Sequence, residues 1–318
     1  MRKSRCVLTF VLILLKIKSY SQAKYEVGFQ TDNDSYLGHG SDRYYTNGLV
    51  FYYRQALEIK NKKSSNLANK IVEIEAGQKM YTSKSGYIVA RKDIDRPFAG
   101  HLYIASHLNL LYNNESSLKL SLQLGIIGKD SGAEYLQTML HKSLGLYPPR
   151  GWEYQINNQS IVNILAEYNK LLLRESCFDF ILSGQASLGS GFTGANVAST
   201  LRIGKFNQLF NSFITQSVLS LSKYKRSRSY ELYFYYKPQI SYVAYDASIQ
   251  GNIFSKDVSD EKQVTTLKEP FIISHQMGID YTNKIFTVGI AATVQTKESK
   301  TMVKPQHQWG TFRFSYLF

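Results

Sequence analysis

The chain has 318 residues, a net charge of +14 and 43% hydrophobic residues, among them 24 tyrosines and 17 phenylalanines. Only two cysteines occur, and Cys6 lies in the N-terminal leader, so Cys177 is the one thiol of the processed chain and an intramolecular disulfide is excluded. After the leader, no apolar stretch approaches the ~20 residues that a transmembrane helix needs, so any membrane residence requires a β-barrel or surface attachment.

Residues 1–21 have the pattern of a secretory signal peptide. Basic residues are followed by an apolar run from Cys6 to Leu15 and by small polar residues suited to cleavage after Ser21. Removing the five basic residues of this segment from a net charge of +14 leaves +9. For a secreted chain rich in aromatic residues, this charge indicates contact with anionic lipid head groups rather than nucleic acid. Residues 22–318 then form one predicted domain, a barrel with catalytic extracellular loops.

Segments of about ten alternating residues, separated by turn signals, recur along the whole of this domain. In Leu118–Ile126, leucines and isoleucine occupy every second position. The last strand carries aromatic residues on one face and ends at Phe318, which resembles the signal read by the barrel-assembly machinery. The pattern predicts an all-β fold, a twelve-stranded antiparallel transmembrane β-barrel with a short extracellular helix. The predicted strands are 24–33, 46–57, 69–81, 101–113, 118–127, 160–172, 177–188, 197–205, 230–245, 268–281, 285–295 and 309–318.

An even strand number places both termini on one side of the membrane, which in this class is the periplasmic side. The connections after odd-numbered strands then emerge together at the outer face. This parity brings Asp34–Tyr45, Thr82–Gly100 and Gly128–Gln159 to the same rim. The glycine-rich stretch at 189–194 is interpreted as a loop, without a phosphate-binding pattern.

The third of these connections contains the one clear helix signal. Ser131 followed by Glu134 predicts a capping-box start, and Gly145 predicts the C-terminal end. Between them, Gln137 and His141 are four residues apart and so share one helix face. A polar pair of this kind between two membrane strands is a candidate site, although a histidine that only hydrogen-bonds its neighbours remains an alternative.

Several motifs at this rim resemble those of the outer-membrane lipid A 3′-O-deacylase family, over nearly the whole mature length. They are Asn33-Asp34, the run from Asp42 to Gly48 (DRYYTNG), the run from Arg96 to Gly100 (RPFAG), the Gln137 and His141 pair, and Gly151-Trp152 with Gln155. The resemblance implies a twelve-stranded barrel in the outer membrane of a Gram-negative bacterium, with its active site facing outward. It also implies calcium-dependent hydrolysis of the ester that holds the 3′ acyloxyacyl group of lipid A.

Ester hydrolysis needs a base for water and a group that stabilises the developing oxyanion, which a histidine and a hard cation can supply. We therefore expect His141 to activate water and Gln137 to orient either His141 or the water. Asn33 and Asp34 offer the oxygen ligands that Ca²⁺ favours, and both are also candidate catalytic residues. Thr46 matches a family active-site position and is expected to align substrate or water.

Arg91, Lys92 and Arg96 are candidates for binding the phosphates of a lipopolysaccharide substrate. The family has an acidic residue shortly after its histidine, where this chain has Leu146-Tyr147. If that carboxylate orients the histidine, Glu153 takes over the role here or no residue does. Two alternatives to the deacylase remain at this point: a non-enzymatic barrel, as pore or adhesion scaffold, and an outer-membrane phospholipase. An open bore would favour the pore, and a serine hydrogen-bonded to a histidine would favour the phospholipase.

Overall fold

A computed structural model describes residues 23–38, 42–59, 66–221, 226–253 and 263–318. The predicted signal peptide lies outside these ranges. Twelve antiparallel strands, each paired with its sequence neighbours, form a barrel that β1 and β12 close. The strands are β1 Tyr25–Asn33, β2 Tyr45–Ala56, β3 Leu67–Tyr81, β4 Ala99–Tyr112, β5 Ser116–Ile127, β6 Gln159–Arg174, β7 Phe178–Gly189, β8 Phe192–Lys205, β9 Glu231–Asp246, β10 Phe271–Thr282, β11 Phe286–Thr296 and β12 Gln306–Leu317. All twelve predicted strands are confirmed.

Alternation along each strand separates an apolar exterior from a polar lumen. On β5, Leu120, Leu122 and Leu124 are 41–47% exposed on the outside. The intervening Lys119 points inward, where its Nζ lies 3.6 Å from Glu73 Oε2. This is the pattern of a lipid-facing barrel, in which the apolar side of every strand faces outward.

The largest boundary difference is at β8, which begins five residues before its predicted start. Gly189 ends β7, only two residues separate it from Phe192, and Gly194 lies within β8. The predicted loop is therefore a two-residue turn that contains Gly191, and the interpretation was wrong for Gly189 and Gly194. Gly194 pairs with Val243 at a bulge in the β8–β9 ladder, and a side chain there would collide with the backbone of Tyr242. Glycine marks a bulge and a close backbone approach here rather than a loop.

Both described chain ends lie at one end of the barrel, here called the terminus end; the opposite end is the loop end. Tyr25 N–H donates to the Phe318 carbonyl at 2.8 Å and so ties the termini together. Two α-helices lie at the loop end, α1 Ala133–Leu144 and α2 Ala247–Gln250. Within the described residues, no helix is long and apolar enough to cross a membrane.

The connection between β8 and β9 folds back into the barrel and fills its terminus end. This plug, residues 206–221, contains two short 3-10 turns. Its Phe210, Phe213 and Leu219 are buried against residues at the terminus ends of the strands, among them Ile71 and Leu111. Beside the plug, Arg202 pairs with its β7 register partner Asp179, and its Nη1 donates to Ser212 Oγ of the plug at 2.7 Å. The described part of the chain therefore leaves no open bore of the kind that a pore requires.

Candidate active site

Helix α1 lies on the exterior face of the barrel wall, above the loop ends of β3 and β4. Gly100 lies directly beneath it, since a Cβ at that position would overlap Ser131 Oγ and Ala133 Cβ. Gln78, on the same face of β3, donates from Nε2 to the Ser131 carbonyl at 2.6 Å. Gly100 lets the start of α1 approach the wall closely, and the hydrogen bond from Gln78 fixes the position of the segment that precedes α1.

The predicted capping box is not formed. Gly132 is the N-cap with a φ of 71°, and Ser131 instead donates its hydroxyl to the Gly128 carbonyl at 2.5 Å. Glu134 accepts a hydrogen bond from Gln155 Nε2 at 3.3 Å. The predicted C-terminal end is confirmed, because Gly145 has a φ of 68° and its N–H caps the last carbonyls of α1.

Gln137 and His141 form the buried face of α1, and they are 3% and 5% exposed. Gln137 Oε1 accepts from Trp152 Nε1 at 2.7 Å, and the Trp152 ring packs edge-on against Phe98 with centroids 5.4 Å apart. Gln137 Nε2 has no hydrogen-bond partner although it is buried. The tryptophan thus fixes the amide and leaves an N–H donor free for a ligand.

His141 is held at both ring nitrogens. Its Nδ1 lies 2.6 Å from the Tyr147 carbonyl oxygen, and its Nε2 lies 3.0 Å from Asp42 Oδ2. A carbonyl oxygen can only accept, so Nδ1 carries a proton, whereas Nε2 faces the Asp42 carboxylate and is the nitrogen that can exchange a proton. The Tyr147 ring also packs edge-on against the imidazole, with centroids 4.8 Å apart.

Asp42 connects the histidine to the barrel wall. The Thr46 hydroxyl donates to Asp42 Oδ1 at 3.0 Å, and the Tyr147 hydroxyl donates to Oδ2. The backbone at Asp42 has a φ of 45°, and that at Tyr44 has a φ of 63°. Left-handed conformations at non-glycine residues cost energy and concentrate at functional sites. This short strained segment aims the carboxylate at His141.

Asp34 lies on the other side of Thr46 and is 4% exposed. Its Oδ2 accepts from the Arg43 N–H at 2.9 Å, and Thr46 Oγ1 lies 3.4 Å from its Oδ1. Burial, reinforced by the charge of Asp42, raises the pKa of Asp34 to about 6. Asn33 Oδ1 accepts from the N–H and the hydroxyl of Ser35 and thereby caps the short 3-10 turn Asp34–Leu37.

These residues fit a hard cation. The Asp34 and Asp42 carboxylates flank one hydroxyl, and within the described ranges neither forms an ion pair with lysine or arginine. Two like charges in a buried setting are stabilised by a cation, and an all-oxygen donor set is the one that Ca²⁺ prefers. The Asn33 oxygen, the other predicted ligand, is engaged in capping but retains a second lone pair.

The three predicted phosphate ligands have different surroundings. Arg96 is fully buried and does not fit that role: its Nε lies 2.8 Å from Glu298 Oε2 and its Nη2 donates to Ser248 Oγ at 3.1 Å. It joins three connections at the loop end. Arg91 and Lys92 are exposed in a 3-10 turn, and Arg91 Nη2 donates to the Gln263 carbonyl at 3.0 Å.

Glu153 does not take the place of the acidic residue that follows the histidine in the family. Its Oε2 accepts from the Gly151 N–H at 2.8 Å within its own loop. The partners of His141 are Asp42 and Tyr147, which the sequence analysis did not assign. Both had a visible signal, since Asp42 begins the DRYYTNG motif and Tyr147 occupies the position of the missing acid.

The described residues contain no serine hydrogen-bonded to His141. Ser143 donates instead to the Leu140 carbonyl at 2.8 Å. A serine and a histidine do meet in the lumen, where Ser121 Oγ lies 2.7 Å from His107 Nδ1. That pair is enclosed by the barrel wall, so it cannot meet a phospholipid in the membrane, and the phospholipase interpretation gains no support from it.

An apolar groove of about 630 Å³ begins next to this site on the exterior wall. Tyr36 and Leu37, in the turn that follows Asp34, form its upper edge, and Gly310 lies beneath Tyr36. Other lining residues come from β9 to β12, namely Phe234, Met277, Ile279, Ile290, Ala292 and Phe312. The polar site and the groove therefore flank the same 3-10 turn.

Comparisons with known proteins agree with this architecture. A family model described as "Outer membrane protein LpxR" matches residues 6–318. The structure of LpxR from Salmonella typhimurium superposes with a TM-score of 0.73 at 16% identity, covering 92% of this chain and 100% of that one. The β domain of the Bordetella autotransporter BrkA has a TM-score of 0.43 at 9% identity, covering 94% of this chain and 99% of that one. No curated protein matches in a sequence search.

Proposed function

Because the chain belongs to the LpxR family of outer membrane proteins, which are lipid A 3′-O-deacylases, we propose that it hydrolyses the 3′ ester of lipid A with a water activated by His141 beside a calcium ion. The observation that carries this mechanism is the continuous contact from the Tyr147 carbonyl through His141 to Asp42, Thr46 and Asp34. A base and two carboxylates suited to a cation lie within one hydrogen-bonded unit.

In this proposal the Tyr147 carbonyl keeps the proton on Nδ1, so that His141 Nε2 takes the proton from water. Asp42 is shared between the base and the cation site. A cation held by Asp42 would offset the carboxylate charge that favours a proton on Nε2, so that Nε2 would be unprotonated and could accept a proton from water. The free Nε2–H of Gln137, one helical turn away, is placed to donate to the water or to the oxyanion. Calcium, when bound, polarises the ester carbonyl.

The substrate's acyl chains are proposed to lie in the groove beside the Asp34–Leu37 turn. Replacing Ala292 by phenylalanine fills the groove without adding a polar atom to the lipid-facing wall. We expect kcat/KM for lipid A to fall about tenfold, since losing apolar contact with a chain costs that order of specificity. Val197→Phe, on the exposed exterior of β8, is the matched control. Equal activity of the two variants would place the acyl chains elsewhere.

Calcium dependence is expected to vary with pH because of Asp34. The cation binds the carboxylate, and burial raises the pKa of Asp34 to about 6. The protonated fraction grows as pH falls through this value, so the half-saturating calcium concentration should rise about tenfold per pH unit below 6 and stay level above 7. Asp34→Asn should need more calcium at every pH and lose this slope. A slope that persists in Asp34→Asn would assign the titration to another group.

The loop end is proposed to face outward, with Phe318 at the periplasmic side where the assembly machinery acts. Cys177 is an exposed native thiol at the terminus end, so a membrane-impermeant maleimide should not label it on intact cells. In a Cys177→Ser background, Asp130→Cys next to α1 should be labelled, and Asn114→Cys should not. Labelling of Cys177 without permeabilisation would reverse the orientation.

Mass spectrometry of lipid A tests the proposed activity directly. Cells that express the chain should lose one acyloxyacyl unit from the 3′ position, and cells that express His141→Ala should retain it. The exposed residues Arg91 and Lys92 remain candidate phosphate ligands. Mass spectrometry can test this role by comparing the deacylation of lipid A with that of lipid A lacking its phosphates. An unchanged lipid A profile with a correctly folded barrel would contradict the proposal.

A further inference from the structure

A second cluster of metal-ligand residues lies inside the barrel, away from the α1 site. Glu73 on β3 and His107 on β4 are direct register partners, and Glu75 follows two residues later on the same luminal face. One donor atom from each lies within 4.8 Å of the others. Within the described ranges, it is the one set of three or more histidine, cysteine or acidic side chains whose donor atoms converge this closely.

Two donor atoms of this cluster are buried without a hydrogen bond. They are Glu73 Oε1 and His107 Nε2, which lie 3.9 Å apart. Glu73 is only 4% exposed, so its free oxygen is shielded from bulk water. Leaving a buried carboxylate oxygen and a ring nitrogen unpaired is costly, and two such atoms aimed at one point indicate a missing partner.

Surrounding hydrogen bonds orient all three ligands. His107 Nδ1 lies 2.7 Å from Ser121 Oγ, which leaves Nε2 facing the glutamates. The Tyr103 hydroxyl donates to Glu75 Oε1 at 2.7 Å, and Glu75 Oε2 lies 3.7 Å from His107 Nε2. Metal-binding histidines and carboxylates are held in this way by partners on their non-coordinating atoms.

The charge balance also favours a cation. Arg54 contacts Glu73 Oε2 at 2.6 Å and Glu26 Oε1 at 3.2 Å, while Lys119 lies 3.6 Å from Glu73 Oε2. These two cations are thus directed at Oε2 and leave Oε1 free. Lys79 also acts on Glu75 and Glu167 on His107, so with Glu75 included four carboxylates face three cations and one negative charge is left over.

We propose that Glu73, Glu75 and His107 bind a zinc-class divalent cation in the barrel lumen. One nitrogen and two carboxylate oxygens form a borderline donor set, whereas Ca²⁺ takes oxygen ligands. Tetrahedral zinc with bonds of about 2.0–2.2 Å separates its ligands by about 3.3–3.6 Å, close to the 3.7 Å and 3.9 Å between His107 and the glutamates. A polar luminal cavity of about 160 Å³ is lined in part by Lys119, whose Nζ lies 3.6 Å from Glu73 Oε2.

The test uses the purified, folded barrel in detergent, stripped of metals and then kept in excess Ca²⁺ to occupy the α1 site. Equilibrium dialysis against Zn²⁺ should show one bound ion that is lost in His107→Gln and retained in His141→Gln. Zn²⁺ should also raise the Tm of wild type and not that of His107→Gln. His275→Gln, which replaces an exposed exterior histidine, is the matched control and should bind as wild type.

Glu75→Gln provides a second variant if His107→Gln fails to fold, because its amide oxygen can still accept from Tyr103. It should weaken zinc binding at least tenfold. Zinc stoichiometry that is unchanged in the luminal variants, or lost in His141→Gln, would overturn the proposal and place the ion at the α1 site. Absence of any bound zinc would overturn it as well.

Discussion

Replacing His141 by alanine is expected to lower kcat for lipid A deacylation about 10²–10⁴-fold, the span typical of a positioned general base. The barrel should still assemble, because His141 lies on an exterior helix and its partners are the Tyr147 carbonyl and the Asp42 carboxylate. Turnover is measured with purified lipid A, and folding by the heat-dependent mobility of the barrel in detergent gels. Lys142→Ala, an exposed neighbour on the same helix, should retain wild-type turnover.

Gln137→Ala should reduce turnover less, and its effect should not add to that of His141→Ala. Residues that act on one reacting water behave as a unit, so the double variant should resemble the histidine variant alone. Fully additive losses would mean that Gln137 acts independently, for example through Trp152 and the packing of the loop. A folded His141→Ala barrel with wild-type turnover would place the base elsewhere.

Removing calcium with a chelator should abolish measurable deacylation while the barrel stays folded. The loss should exceed that of the histidine variant, since chelation removes the polarising ion and leaves the neighbouring carboxylates of Asp34 and Asp42 without a counter-charge. Adding Ca²⁺ back should restore the rate, and the same chelator should leave the secondary structure unchanged by circular dichroism. Undiminished activity in excess chelator would reject the metal role, although the family assignment would stand.

The strands could be predicted because lipid-facing and lumen-facing residues alternate along a barrel strand, so every second residue is apolar. The helix end was also visible, since a left-handed position favours the glycine found at Gly145. Its start was not, because the Ser131 hydroxyl can accept from the Glu134 N–H in a capping box or donate to the Gly128 carbonyl, and only the contact with the barrel wall decides between them. Local sequence patterns show which hydrogen bonds a residue can form, and its tertiary contacts determine which of them it does form.

The ion pair of Arg96 also could not be predicted from local sequence. An arginine in a loop of a lipopolysaccharide enzyme suggests a phosphate, yet its partner Glu298 is 202 residues away in sequence. Nothing local signals that pairing. Asp42 was similarly visible as part of a motif, but its contact with His141 arises only when α1 folds back onto the wall at Gly100.

The filled interior determines how this enzyme meets its substrate. With the plug at one end and the proposed site on the exterior wall, we expect lipid A to arrive sideways, by lateral diffusion within its leaflet. The encounter is two-dimensional, so the rate should follow the mole fraction of lipid A in the membrane rather than its bulk concentration. Diluting lipid A with an inert phospholipid at constant total substrate should therefore slow deacylation, whereas adding more solvent should not.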